Sequence, residues 1–131
     1  MQGRVVSGFV AACLLGTAPT VIAAPLDLRA DVVPQTAPQE VRLIERDVAA
    51  GESTGWHLHH GVEMTYVLSG DLRLEVAGQA VRTLHAGDSF EVPRDTPHRA
   101  SNDGPAVTAL IISYLIDKGP GATVRLPPPR P

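Results

Sequence analysis

The chain has 131 residues, which is room for one modest domain and not for two. Its net charge of −3 leaves no basic face of the kind that holds a phosphate backbone, so nucleic acid is not an expected partner. Twelve glycines and twelve prolines predict many turns and short strands, and the single cysteine, Cys13, lies in the N-terminal apolar stretch, so a disulfide or a thiolate ligand is not expected in the domain itself.

Residues 1–23 have the layout of a secretory signal peptide: Arg4 as the positive n-region, an apolar run from Val5 to Gly16, and small residues up to a cleavage site after Ala23. The run is too short to span a bilayer. Val10-Ala11-Ala12-Cys13 also resembles a lipid-attachment box, but the apolar segment preceding Cys13 is short for one and apolar character continues past it. Export to the periplasm or beyond is the expectation, with lipidation at Cys13 the lesser alternative.

Residues 24–40 carry Pro25, Pro34 and Pro38 among polar residues and read as an extended arm. From Val41 to Leu126 short β-forming segments alternate with turn signals. The expected strands are Val41 to Val48, Trp56 to His59, Met64 to Ser69, Leu72 to Val76, Gln79 to His85, Ser89 to Val92, His98 to Ser101, Ala106 to Ile116 and Ala122 to Leu126. Leu72, Leu74 and Val76 alternate with Asp71, Arg73 and Glu75, one face for a core and one for water. The run from Ala106 is apolar throughout and suits a strand covered on both faces. Gly104-Pro105 and Gly119-Pro120 bracket it as turns. The tail, residues 127–131, reads as exposed polyproline II.

Three of the five histidines occupy patterned positions. His57 and His59 are two apart, so on a strand they share a face and both imidazoles can reach one ion. His60-Gly61-Val62 reads as a tight turn that returns the chain as a neighbouring strand, bringing Glu63 to the same ion. His98 would close the site from a more distant strand. Neutral imidazoles with one carboxylate suit iron, manganese, nickel, copper or zinc, and four protein ligands leave open positions on an octahedral metal.

Residues 51–70, G-E-S-T-G-W-H-L-H-H-G-V-E-M-T-Y-V-L-S-G, and 87–102, G-D-S-F-E-V-P-R-D-T-P-H-R-A-S-N, resemble the two signature motifs of the cupin superfamily. The first matches at Gly51, His57, His59, Glu63 and Gly70, and the second at Gly87, Pro93, His98 and Asn102. Asp95 stands where the family usually has glycine, a position that serves a tight turn and that aspartate tolerates. Over roughly residues 41 to 116, the resemblance implies a small single-domain cupin: an all-β double-stranded β-helix, or jelly-roll barrel, with a divalent transition metal on His57, His59, Glu63 and His98. It further implies a small-molecule ligand and a homodimer.

Around this set, His60 is expected to be exposed or to support a ligand, and His85 to be surface. Trp56, Tyr66 and Phe90 are expected in the core or at a subunit interface, with Trp56 or Phe90 as cavity walls the alternative. Arg94 and Arg99 are read as solvated surface, with a small-anion contact as the alternative. Glu63 is expected to be a ligand and is also a candidate general base. The leading functional expectation is an exported metal-dependent oxygenase of the quercetinase-like sort, or a related isomerase or lyase; the competing one is a module that binds a metal or small ligand without turnover.

Overall fold

The computed structural model describes residues 26–32 and 34–129; the leader and the Cys13 reading lie outside the described residues. Glycine-punctuated β-formers give nine strands and no helix among them: β1 (Gln39–Val48), β2 (His57–His59), β3 (Gly61–Ser69), β4 (Asp71–Val76), β5 (Arg82–His85), β6 (Ser89–Val92), β7 (His98–Ser101), β8 (Thr108–Asp117) and β9 (Thr123–Arg125). All pair antiparallel, in a four-stranded sheet of order β1-β8-β3-β6 and a five-stranded sheet of order β5-β4-β7-β2-β9. The strand expected from Gln79 is shorter, because Gln79 donates its N–H to the Val76 carbonyl and is spent in the turn.

The core lies between the sheets. Leu72, Leu74 and Val76 of β4 point inward, as their alternation predicts, against Val67, Phe90, Val92, Leu110 and Ile112. Each such aliphatic chain contributes roughly 1.5–3 kcal/mol by leaving water. Outward-facing Arg73, Glu75 and Arg99 form ion pairs across the surface. The expectation that β8 is covered on both faces is corrected: Thr108, Leu110, Ile112 and Ile116 are buried, whereas Ala109, Ile111, Ser113 and Leu115 on its outer face are only half-buried, because among the described residues only the arm around Asp31, Val32 and Gln35 comes beside that face, near Leu115.

A second correction concerns the link between β2 and β3. The chain makes no hairpin at His60-Gly61-Val62; it passes from one sheet to the other there, and β2 and β3 are not paired. The crossing is held by His60, whose N–H donates to the Ala122 carbonyl and whose own carbonyl accepts from Asp117 N–H. Gly61 makes it sterically feasible: a Cβ there would lie 2.1 Å from the Leu115 carbonyl oxygen and 2.4 Å from Ile116 Cα.

Asn102, fully buried, ties three segments together. Its side-chain amide donates to the carbonyls of Val48 and Ala106, and its Oδ1 accepts from Gly104 N–H. Gly61→Ala is expected to cost about 3 kcal/mol or more, because backbone rather than a flexible side chain must yield. Gly78→Ala, at a turn with open space around it, should cost only about 1 kcal/mol through its positive φ. Urea denaturation of the two variants checks the difference.

Candidate metal centre

β2 is three residues long, and its alternation buries His57 and His59 while Leu58 faces the other way. His98 of β7 pairs directly with His57 across the sheet, and Glu63 of β3 faces them from the opposite sheet. All four side chains are buried, and one potential ligand atom from each lies within 4.8 Å of the others. Glu63 therefore reaches the histidines across the barrel, not from the neighbouring strand that a hairpin would have supplied.

The outer nitrogen of each ring is already engaged. His57 Nδ1–H donates to the Gly55 carbonyl at 2.8 Å and His98 Nδ1–H to the Thr96 carbonyl at 2.9 Å. His59 Nδ1 is hydrogen-bonded to the Thr123 hydroxyl at 2.9 Å. A carbonyl can only accept, so neutral His57 and His98 carry their proton on Nδ1 and present an Nε2 lone pair to the centre. Glu63 is aimed similarly: Thr65 donates its hydroxyl to Oε1, leaving Oε2 3.1 Å from His59 Nε2 and 3.4 Å from His98 Nε2.

Those two Nε2 atoms are buried and have no hydrogen-bond partner. With its proton on Nδ1, His98 Nε2 is an orphaned acceptor facing a carboxylate, which is costly unless a cation lies between them, and two borderline nitrogens beside a hard oxygen match a divalent transition metal. The residues present thus fit the ion that the ligand pattern implies. Burial pushes the His57 imidazole down to about 4, which keeps it a neutral ligand near neutral pH. For Glu63, burial acts to raise the carboxyl, but His59 and His98 outweigh it and hold the group below the ordinary carboxylate range.

Leu72, Leu74, Phe90, Leu110 and Ile112 form an apolar floor beneath this set. Above it, a cavity of about 370 Å³ opens between the sheet edges, lined by His57, His59, Thr54, Thr123, Tyr114 and the arginines Arg46 and Arg125. Tyr114 packs edge-on to the His59 ring at 5.0 Å. Its phenol is raised by burial and by the Glu63 charge, so it keeps its proton.

Tyr114, Arg46 and Arg125 have no place among the residues singled out from sequence. An arginine between Ile44 and Val48 on one face of β1 is a signal that could have shown Arg46, but β1 carries apolar residues on both faces and its sequence does not say which turns inward. The other assignments divide. Phe90 walls the interior, Tyr66 lies half-buried on the outer face of β3, and Trp56 stands beside Pro127, Pro128 and Pro129 with the Arg99 guanidinium 5.8 Å from its ring. His85 pairs with Asp71 at the surface, and His60 with Asp95, whose φ of 58° is the left-handed turn conformation. Arg94 and Arg99 are committed to Asp117 and Glu75, so the small-anion alternative for them is withdrawn.

Comparison with known proteins agrees with this architecture. No curated protein matches the sequence. Among solved structures, an oxalate oxidase is 26% identical with a TM-score of 0.58 over 66% of this chain and 46% of its own, so this chain spans less than half of that protein's length. An RmlC-like cupin from Shewanella frigidimarina is 28% identical with a TM-score of 0.54, covering 60% of this chain and 68% of its own. A double-stranded β-helix protein from Klebsiella pneumoniae, 21% identical with a TM-score of 0.56 over 71% of this chain and 88% of its own, shares the fold. The cupin domain family model matches residues 45–114, more than half of the chain, and the chain belongs to the cupin family.

Proposed function

We propose that His57, His59, Glu63 and His98 hold one divalent transition metal, iron, manganese, nickel, copper or zinc, and that the protein is a metal-dependent enzyme acting on a small organic molecule, with oxygenase chemistry the first reading. The observation that carries this is the pair of buried, partnerless Nε2 atoms facing the Glu63 carboxylate. A metal bound there supplies Lewis-acid polarisation and open coordination positions. The chain's own residues do the rest. Thr65 and the Gly55 and Thr96 carbonyls fix the ligand orientations, the apolar floor keeps water to the mouth side, and the protonated Tyr114 phenol is a hydrogen-bond donor at the cavity wall. A hydrogen-bond donor beside the site suits the orientation of a bound small molecule. The mouth is polar and Trp56 points elsewhere, which favours a small polar substrate over a flavonol-sized aromatic within the quercetinase-like reading.

A leader over residues 1–23 is part of this reading, so the metal would be acquired outside the cytoplasm. Elemental analysis of protein recovered from the compartment found by fractionation is expected to show about one transition metal per chain, and a His57→Ala, His98→Ala double variant is expected to show almost none. Equal metal content in both would end the proposal.

Acidification gives an independent check on the metal-free protein. His57 has a folded-state pKa of about 4 against 6.5 in the unfolded chain, so the proton is taken up mainly on unfolding. Stability is then complete above about pH 6.5 and falls as the pH drops toward 4, by on the order of 2 kcal/mol. Urea midpoints at several pH values after chelation measure this, and a flat profile across that window contradicts a neutral buried His57.

We also propose homodimerisation through the β1 side of the barrel. β1 is an edge strand of ten residues, and Val41 and Leu43 on its outer face are 72% and 70% exposed. Edge strands with apolar outer faces are usually covered. Leu43→Glu should shift the sedimenting species from dimer to monomer without changing metal content. A wild type that sediments as a monomer refutes the interface.

A further inference from the structure

The lining of the cavity mouth supports a narrower statement about what enters it. Arg46 lies on the inward-facing side of β1, the edge strand of one sheet, and Arg125 on β9, the edge strand of the other. Arg125 pairs in register with His57, and its neighbour across one residue, Thr123, pairs with His59, so the Arg125 side chain shares the face of the two ligands. Arg46 lines the same cavity from the opposite side. Arg42, two positions before Ile44 on the same face of β1, borders the adjoining recess with His59, Tyr114 and Thr123. None of the residues lining the cavity above the ligands is acidic.

The partners these arginines already have leave them available. Arg46 meets Glu52 through one nitrogen at 3.0 Å, while the other oxygen of Glu52 accepts the Ala49 N–H. Arg125 donates from Nη1 to the Thr54 carbonyl, a contact that orients the guanidinium without neutralising it. Each keeps further N–H donors in the planar fork that matches a carboxylate bidentately. Inward-pointing charges on edge strands also guard against edge-to-edge association. That role needs no common target, whereas Arg46 and Arg125 approach one cavity from opposite edges and flank the same histidines.

We infer that the site takes a small carboxylate-bearing organic anion, held by Arg46 and Arg125 above the His57, His59, Glu63 and His98 set. The inference rests on the metal-centre reading for what lies beneath the anion, and on the arginines alone for the charge of what is bound. The cavity, about 370 Å³, lies at the small end of the roughly 300–1,000 Å³ of small-molecule sites, which fits a compact acid.

Calorimetric titration of the full zinc-treated protein with malonate, malonamide and sulfate tests it. Malonate is expected to bind at least about fivefold more tightly than either comparison ligand, and Arg125→Gln and Arg46→Gln are each expected to weaken malonate about fivefold while leaving zinc stoichiometry unchanged. Arg125 is exposed on a short edge strand, so its variant should unfold at nearly the wild-type temperature, and the malonamide comparison needs no variant. Zinc bound normally with malonate indifferent to both substitutions, or matched by malonamide or sulfate, overturns the carboxylate inference alone. Arginine-dependent malonate binding in a protein that takes up no more zinc than His57→Ala, His98→Ala overturns the metal reading alone.

Discussion

This barrel is arranged around one electrostatic constraint: imidazole nitrogens face a carboxylate in a buried set of side chains. Such a cluster is unstable unless something positive sits at its centre, since burying unpaired acceptors costs about 1–3 kcal/mol each in proteins and more for an unpaired charge. The surrounding structure works against any relaxation of the arrangement. The Gly55 and Thr96 carbonyls accept hydrogen bonds from the Nδ1–H groups of His57 and His98, and the Thr65 hydroxyl donates to Glu63 Oε1. No ring can turn its orphaned nitrogen toward a new partner without losing a hydrogen bond it already has. This is the pattern expected of ligands oriented by the groups behind them.

The fold supplies the constraint through two devices. The chain changes sheets at His60, which places β2 and β3 on opposite walls so that a sequence separation of four residues becomes an approach across the core. The corner is fastened from outside: Arg94 reaches both the His60 carbonyl and Asp117, while Asp95 pairs with the His60 ring and donates its N–H to the His59 carbonyl. The aspartate at the position where cupins usually have glycine is therefore accommodated, in a left-handed conformation with its carboxylate employed. The other device is Asn102, which closes the opposite part of the barrel by joining the end of β1 to the loop before β8. Residues spaced as ligand and turn signatures in the chain thus divide into those that meet at the centre and those that hold the walls.

How much of this is legible in sequence depends on the range of the interactions concerned. The nine strands are visible because glycine turns and alternating residues are local signals, and the four converging side chains because they stand at the ligand positions of two motifs that resemble those of cupins. What spacing cannot convey is which strands are neighbours. His57 and Glu63 look like the two arms of a hairpin, and only the steric closeness of Gly61 to β8, a contact over fifty residues away in the chain, reveals a crossing instead. The same limitation hides Arg46 and Arg125. Each lies on a strand with no single apolar face, so alternation gives no direction, and their common target appears only when the edges of both sheets are brought together over His57. Tyr114 is concealed differently, inside a run whose apolar character makes every residue look like core.

The division of polarity along the barrel connects these observations to chemistry. Below the ligands the lining is largely aliphatic and aromatic, from Leu72, Leu74, Phe90, Leu110 and Ile112, with Arg46, Thr54 and Tyr114 bordering it as well. Above them the lining is hydroxyl, phenol and guanidinium. On the proposed reading, a molecule entering the mouth would meet the four-residue set at one end and the Arg46 and Arg125 donors at the other. A site built only to store an ion would gain nothing from an open polar mouth, because water could complete its coordination. The combination of a closed apolar side with an open, donor-rich side is what selective binding of a second molecule requires, and the protonated phenol of Tyr114 lies at the boundary between the two.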